Sequence, residues 1–331
     1  MLKIMMKNPL CMALYFLGMT LITASTPVLA QNNYPNKSIR LIVPFAPGGV
    51  TDTSGRLIAD QLSRRIGQTI IVENKAGASG NIGAAMVANA EPDGYTLVLG
   101  FDGTIVINPH VFTSMPLDTL KDLTPIGKIG ETILILLAYP KFEALTLQEI
   151  IALSKQPGKI INFGSSGVAS PQHIAVELLN QQTGSKLVHV PYKGGGQAMI
   201  DVQAGVIPLV FTAVAGGYPY IKSGRLNAVA VSSEKRAASL PDVPTFIESG
   251  IKDFVAIGWV GIFAPSKVPR SVIDYLNKEL NAVLSTPEVI AKLDTLGIEA
   301  SPGTPEKFGK EISADFKRYG EVIKAAGIKA E

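Results

Sequence analysis

The stretch Ile39-Arg40-Leu41-Ile42-Val43-Pro44-Phe45-Ala46-Pro47-Gly48-Gly49-Val50-Thr51-Asp52 decides the fold. It reads as a short apolar strand over 39–43, a turn rich in proline and glycine, and a polar opening to a helix, which is the first half of a βαβ unit. Gly48 and Gly49 let bare backbone approach a ligand closely, and the helix that follows points unpaired N–H groups at the same spot. Those groups carry partial positive charge, so the turn suits an anion such as a carboxylate, with Phe45 and Ala46 beside it. Asp52 is expected to cap the helix.

Downstream, the same rhythm continues. A helix over 53–66 carries Leu57, Ile58, Leu62 and Ile66 on one face and stops at Gly67. Strand 69–73, helix 81–90 and strand 95–100 follow, the last two divided by the turn Pro92-Asp93-Gly94. A second series starts near Thr146: helices to 154, over 171–182 and over 197–205 alternate with strands 159–163, 186–190 and 207–212, and strand 226–232 closes it. Two long apolar segments, 126–139 and 254–264, flank this series, each suited to run from one lobe into another. Helices over 271–285, 287–296 and 305–326 are expected to pack back on the first lobe. This α/β pattern predicts parallel or mixed sheets with helices on both faces. About 300 residues exceed one core and favour two lobes, and two crossings between them make a cleft that closes on a ligand.

Upstream, residues 1–30 have the layout of a secretory signal: Lys3 and Lys7, an apolar run over 10–22, then Val28-Leu29-Ala30, with cleavage expected after Ala30. The one cysteine, Cys11, lies inside this segment. The mature chain therefore has no thiol, which excludes disulfides, cysteine nucleophiles and thiolate metal sites. The segment holds two lysines and no acid, so its removal lowers the net charge from +3 to +1. That leaves no broad basic field for nucleic acid or an anionic membrane.

Three more strand-to-helix turns carry candidate chemistry. Lys75-Ala76-Gly77-Ala78-Ser79-Gly80-Asn81-Ile82-Gly83 has the form G-x-x-G-x-x-G, not the dinucleotide fingerprint, and no Gly-Lys-Ser/Thr run supplies a phosphate loop. In Phe163-Gly164-Ser165-Ser166-Gly167-Val168-Ala169-Ser170-Pro171, Ser165, Ser166 and Gly167 are placed to bond a carboxylate from the opposite side. Ser170 and Pro171 suit the cap and first position of the next helix. A hydrolase elbow needs a glycine where Val168 stands. In Val190-Pro191-Tyr192-Lys193-Gly194-Gly195-Gly196-Gln197, Lys193 is a candidate counter-ion and Tyr192 a candidate wall. His110, His173 and His189 show no metal spacing, and none is spaced to serve a serine. No metal or cofactor is expected.

Across nearly the whole mature chain, a series of motifs resembles the TctC-like or Bug (Bordetella uptake gene) substrate-binding proteins of tripartite tricarboxylate transporters. The series runs through Tyr34-Pro35, the opening stretch, Gly67-Gln68, Val72-Glu73-Asn74-Lys75-Ala76-Gly77, residues 80–84 and Pro92-Asp93-Gly94-Tyr95-Thr96-Leu97. Gly103-Thr104, Ile107-Asn108-Pro109, Val190-Pro191-Tyr192-Lys193-Gly194 and Asp242-Val243-Pro244-Thr245 continue it in the same order. The resemblance implies a two-lobed periplasmic-binding-protein-like fold (type II, Venus flytrap) with two hinge crossings. Its boundaries are placed at 31–130 with 254–331 for lobe 1 and 131–253 for lobe 2. It implies a monomeric periplasmic receptor, not an enzyme, that takes a small carboxylate or a related aromatic acid or amide. Carried onto this chain, the contacts are Phe45, Ala46, Gly48, Gly49, Asp102, Gly103, Thr104, Ser165, Ser166, Gly167, Tyr192 and Lys193.

Two departures bear on the ligand. Thr212-Ala213 stands where many members carry Asp-Asn, and Phe101-Asp102 stands where small or hydroxylated residues are common. Asp102, if it faces the pocket, would repel a second carboxylate or pair with a ligand amine. The leading expectation is capture of a small organic acid for a membrane transporter of the TctA/TctB type. The alternatives are a secreted hydrolase using a serine of the 165–170 loop, and a sensory receptor subunit using the same cleft.

Overall fold

The apolar side chains of Ile39, Leu41, Ile42 and Val43 are all buried, and they form the strand β1 (Ile39–Val43) at the heart of one sheet. The computed structural model describes residues 34–329 apart from 46, 48, 49, 193 and 194. The expected signal segment with Cys11, and the site candidates Ala46, Gly48, Gly49 and Lys193, therefore lie outside the described residues.

β1 pairs in parallel with β2 (Ile70–Asn74) and β3 (Thr96–Phe101). The crossovers are α1 (Val50–Ile66) and α2 (Asn81–Ala88). α1 buries Ile58, Ala59 and Leu62, the stripe that a 3.6-residue period turns toward a sheet. β4 (Leu123–Thr132) belongs to the same sheet, whereas β5 (Leu134–Ala138) belongs to a second one. The apolar segment 126–139 is thus two strands in different sheets with Ile133 alone between them.

The second sheet has the order β7-β6-β8-β5-β9, from β6 (Ile161–Ser165), β7 (Leu187–Pro191), β8 (Leu209–Ala213) and β9 (Asn227–Val231) around β5. β6 is parallel to β7 and β8, and β5 is antiparallel to β8 and β9. Its helices are α3 (Leu147–Ser154), α4 (Pro171–Thr183), α5 (Gly195–Gln203) and α6 (Val214–Lys222). The chain returns to the first sheet through 232–257 and enters β10 (Gly258–Pro265), which lies antiparallel between β3 and β4. The apolar segment 254–264 is strand only from Gly258. α7 (Arg270–Leu284), α8 (Pro287–Thr295), the short β11 (Ile298–Ala300) on β4 and α9 (Pro305–Ala326) complete two α/β lobes.

The last helix departs from expectation. α9 packs on β4 but also on α4 of the second lobe. Its buried stripe of Phe308, Ile312, Tyr319, Val322 and Ile323 joins one apolar cluster with Ile174, Ala175, Leu178 and Leu179. The stripe is wide enough to serve two neighbours, which is why the helix is not confined to the first lobe. Thr304 caps its start by accepting from the Lys307 N–H, and Gly327 closes it in the left-handed conformation at φ 66. On the same helix, the buried Asp315 accepts from Trp259 Nε1 of β10 at 3.0 Å and from Arg318 at 2.8 Å. Arg318 also donates to the Val255 carbonyl. The return segment is thereby tied to the C-terminal helix.

Candidate ligand-binding site

The carboxyl ends of strands from both sheets meet at one cavity of about 560 Å³. Phe45 follows β1, Phe101 and Asp102 end and follow β3, Ser166 follows β6, and Ala213 ends β8; all five line it. Open α/β sheets favour this position because helices begin where parallel strands end. Four such beginnings contribute: Thr51 in the first turn of α1, Ser170, Pro171 and Gln172 at the start of α4, Ala215 and Gly216 at the start of α6, and Gly103, which opens a π-helical turn over Gly103–Ile107. Apolar walls come from Phe101, Phe112, Leu134, Val168, Trp259 and Leu296. Phe45 and Phe101 meet edge to face at 5.0 Å between ring centres, a favoured aromatic geometry.

The G-x-x-G-x-x-G loop shapes one wall. Gly77, Ala78, Ser79 and Gly80 all have positive φ, and Ser79 lines the cavity. The Ser79 carbonyl accepts from Thr104 Oγ1 at 3.0 Å and from Asn108 Nδ2 at 2.9 Å, and Asn108 also donates to Asn81 Oδ1 at 2.8 Å. These bonds offset the steric cost of the left-handed Ala78 and Ser79, on the order of 1 kcal/mol each. Thr104 is fully buried behind the wall and is not among the lining residues.

Of the described candidates, Phe45, Asp102, Gly103 and Ser166 line the cavity, whereas Thr104, Ser165, Gly167 and Tyr192 do not. Tyr192 donates its hydroxyl to Asp201 Oδ2 at 2.8 Å. Burial and that carboxylate push its hydroxyl pKa up to about 12. Asp52 is not the cap of α1: it lies in the third position, accepting from Arg56 Nε at 3.1 Å and Asn74 Nδ2 at 2.8 Å. The turn ends earlier than its glycines suggest, so Asp52 falls inside the first turn, where a carboxylate still complements the helix dipole. Ser170 caps α4 by accepting from the His173 N–H, with Pro171 first in the helix.

The histidine reading needs correction. His189 Nε2 sits 2.6 Å from Ser165 Oγ, and His173 stacks on His189 with 3.7 Å between ring centres. Sequence spacing hides the pair because parallel pairing of β6 with β7 sets Phe163 opposite His189, bringing residues 24 apart together. Burial lowers both imidazoles to about 4, with the charge of His173 adding to the effect at His189. Ser165 has no exposed surface and also bonds the Gly167 carbonyl and N–H. It orders the loop and cannot reach a substrate in the cavity.

Several lining residues escaped sequence reading. Trp259 and Gly258 were legible only as strand, and Ala215 and Gly216 sit in a helix whose Gly216, Gly217 and Pro219 read as breakers. Among the described residues no group of three His, Cys, Asp or Glu is arranged to hold a metal ion.

Two α/β lobes with a ligand-sized cavity at their facing strand ends define a bilobed solute receptor of the type II periplasmic-binding-protein-like class. Residues 55–328 match the model of the tripartite tricarboxylate transporter family receptor, TctC, and the chain belongs to this family. Its members are extracytoplasmic transport receptors, not enzymes. Protein BugT of Bordetella pertussis is 33% identical over 317 residues, covering 95% of this chain and 97% of BugT. The solved structure of R. palustris Rpa4515 with adipate is 31% identical with a TM-score of 0.76, covering 89% of this chain and 99% of that one. MatC from Rhodopseudomonas palustris with bound malate is 29% identical with a TM-score of 0.72, covering 88% of this chain and 100% of that one.

Proposed function

We propose that this receptor captures a small organic acid in the cavity between its lobes and presents it to a membrane partner of the TctA/TctB type. One observation carries the reading. Four N-terminal turns, two from each lobe, abut the cavity, and none of the described lining residues is a lysine, arginine or histidine. Backbone N–H groups at the starts of α1, α4 and α6 and the Thr51 hydroxyl supply donors for a carboxylate without a cationic side chain, and the Ser166 hydroxyl, which donates to Gln172 Oε1 at 2.9 Å, can turn to join them. The adipate and malate held by the two Rhodopseudomonas relatives agree with an acid of this size.

The hinges in this reading are the single residue Ile133 and the return segment 232–257, which supports lobes of 31–130 with 254–331 and of 131–253. Export after cleavage behind Ala30, and function as a monomer, belong to the same proposal. A thermal-shift screen of dicarboxylates, hydroxy acids, amino acids and aromatic acids tests it. A few acids should raise the melting temperature by mass action, and a panel in which none does so removes the reading.

Closure itself has a separate test. A side chain added at Gly297 would overlap Ala215 of the opposite lobe, in a backbone of φ 69. Gly297→Ala is expected to leave the protein folded, at a backbone cost of about 1 kcal/mol, while shrinking the shift produced by a stabilising acid. An undiminished shift would show that this contact does not limit closure.

A further inference from the structure

Asp102 is the one ionisable side chain among the described residues that line the cavity. It is 2% exposed, and its Oδ2 has no hydrogen-bond partner. The carboxyl receives the backbone N–H groups of Gly103 and of Asp102 itself. It sits against Gly258, another lining residue, where an added Cβ would lie 3.5 Å from both oxygens. Arg318 of α9, a charged group of opposite sign, spends its Nη groups on Asp315, the Val255 carbonyl and the Tyr319 hydroxyl, and its Nε makes no hydrogen bond to the Asp102 carboxyl. Folded proteins pair nearly all buried acceptors, because one left without a donor costs free energy. An unpaired buried oxygen on a binding wall is therefore an acceptor awaiting a donor.

We propose that Asp102 sets specificity by accepting a hydrogen bond from an N–H group at the far end of the ligand. The ligand class is then a monocarboxylate bearing an amide or an amine, and a second carboxylate is discriminated against. This rests on the reading that helix N-termini hold the first carboxylate. A site built to bond an N–H leaves buried polar groups unpaired with an analogue that lacks it, and once Asp102 is ionised a carboxylate placed there adds like-charge repulsion. Gly258 keeps the approach open, and the aromatic faces of Phe101 and Trp259 suit an apolar body between the two polar ends.

The test is calorimetric titration of the mature chain at pH 8.5 with matched probes of four, five and six carbons: each dicarboxylate, its monoamide and the corresponding ω-amino acid. In at least one length the amide or the amine should bind about tenfold or more tightly than the dicarboxylate. Asp102→Asn presents a donor in nearly the same shape and should reverse that ranking. Asp102→Ser serves as the second variant should the first fail to fold. Amine binding should strengthen as pH rises through Asp102's own titration, whereas amide binding should not, which separates the two N–H sources. A dicarboxylate that binds as tightly as its partners overturns the inference while leaving acid capture standing. So does a ranking unchanged in both variants, or binding of simple acids with no amide or amine bound. If no acid of any kind binds, acid capture itself fails.

Discussion

Replacing Asp315 by alanine is expected to lower the free energy of unfolding by about 3–5 kcal/mol, the range for removing one partner of a buried ion pair. The carboxylate joins three elements: Trp259 of β10 donates to one oxygen, Arg318 of α9 to the other, and Arg318 in turn holds the Val255 carbonyl of the return segment. Without Asp315, a part-buried guanidinium loses its counter-ion and an indole N–H fully inside the protein loses its acceptor. Arg318 Nε already lacks a partner, so little remains to absorb the change. Asp315→Asn retains an acceptor for Trp259 and should cost less. Chemical denaturation of both variants measures the difference. An alanine cost below about 1 kcal/mol would mean that water or a rearranged Arg318 restores what is lost.

A second large effect concerns pH. Desolvation raises the Asp102 pKa from 3.8 to about 8, with the nearby Asp315 adding to it and Gly103's N–H and Arg318 opposing. The folded protein thus holds a proton there that the unfolded chain releases, and stability from this group falls as pH rises between those values. His173 and His189 act in the opposite sense. Their folded values near 4 lie below 6.5, so they contribute stability that is lost as pH falls. Below about pH 6.5 the histidines, His110 among them, oppose Asp102 and the carboxyls of Glu177, Glu311 and Asp315, which burial also raises. Above it the histidines finish titrating and the Asp102 slope of about 1.4 kcal/mol per unit comes to dominate, so stability should fall by about 1 kcal/mol between pH 6.5 and 8. Asp102→Asn should flatten that descent. A wild-type stability that is level or rising from pH 6.5 to 8 would place the Asp102 titration elsewhere.

How much of this was legible before folding depends on the range over which each signal acts. β1 and α9 coincide with their sequence bounds because an apolar run and a capped amphipathic stripe are local patterns. The strand read as 159–163 is Ile161–Ser165, since Gly164 and Ser165 look like loop residues. They fit a strand only because Tyr192, Ala198 and Ile207 press on Gly164. The π-helical turn at Gly103–Ile107 was missed for the same kind of reason: Ile105, Val106 and Ile107 are β-branched and disfavour a helix, but are fully buried in one. In the cleft, the turns after β1, β3 and β6 announced themselves by glycine and serine. Trp259 and Leu296 did not, because nothing local distinguishes a strand or helix end at a cleft from one elsewhere. The Ser165–His189 contact depends on sheet pairing, which spacing along the chain does not encode.

The reach of α9 across both lobes has a consequence for how the chain is made. Phe308, Ile312, Tyr319, Val322 and Ile323 belong to the apolar cluster that also holds β3 and α4 side chains, yet α9 follows both sheets in the sequence. Neither lobe can finish burying its core until α9 exists, so an emerging chain stays short of its native state until that helix is made. In a receptor that crosses a membrane before it works, a late-arriving helix shared by both halves would delay folding until that helix is made. Loss of α9 should then leave two incomplete cores instead of one trimmed lobe.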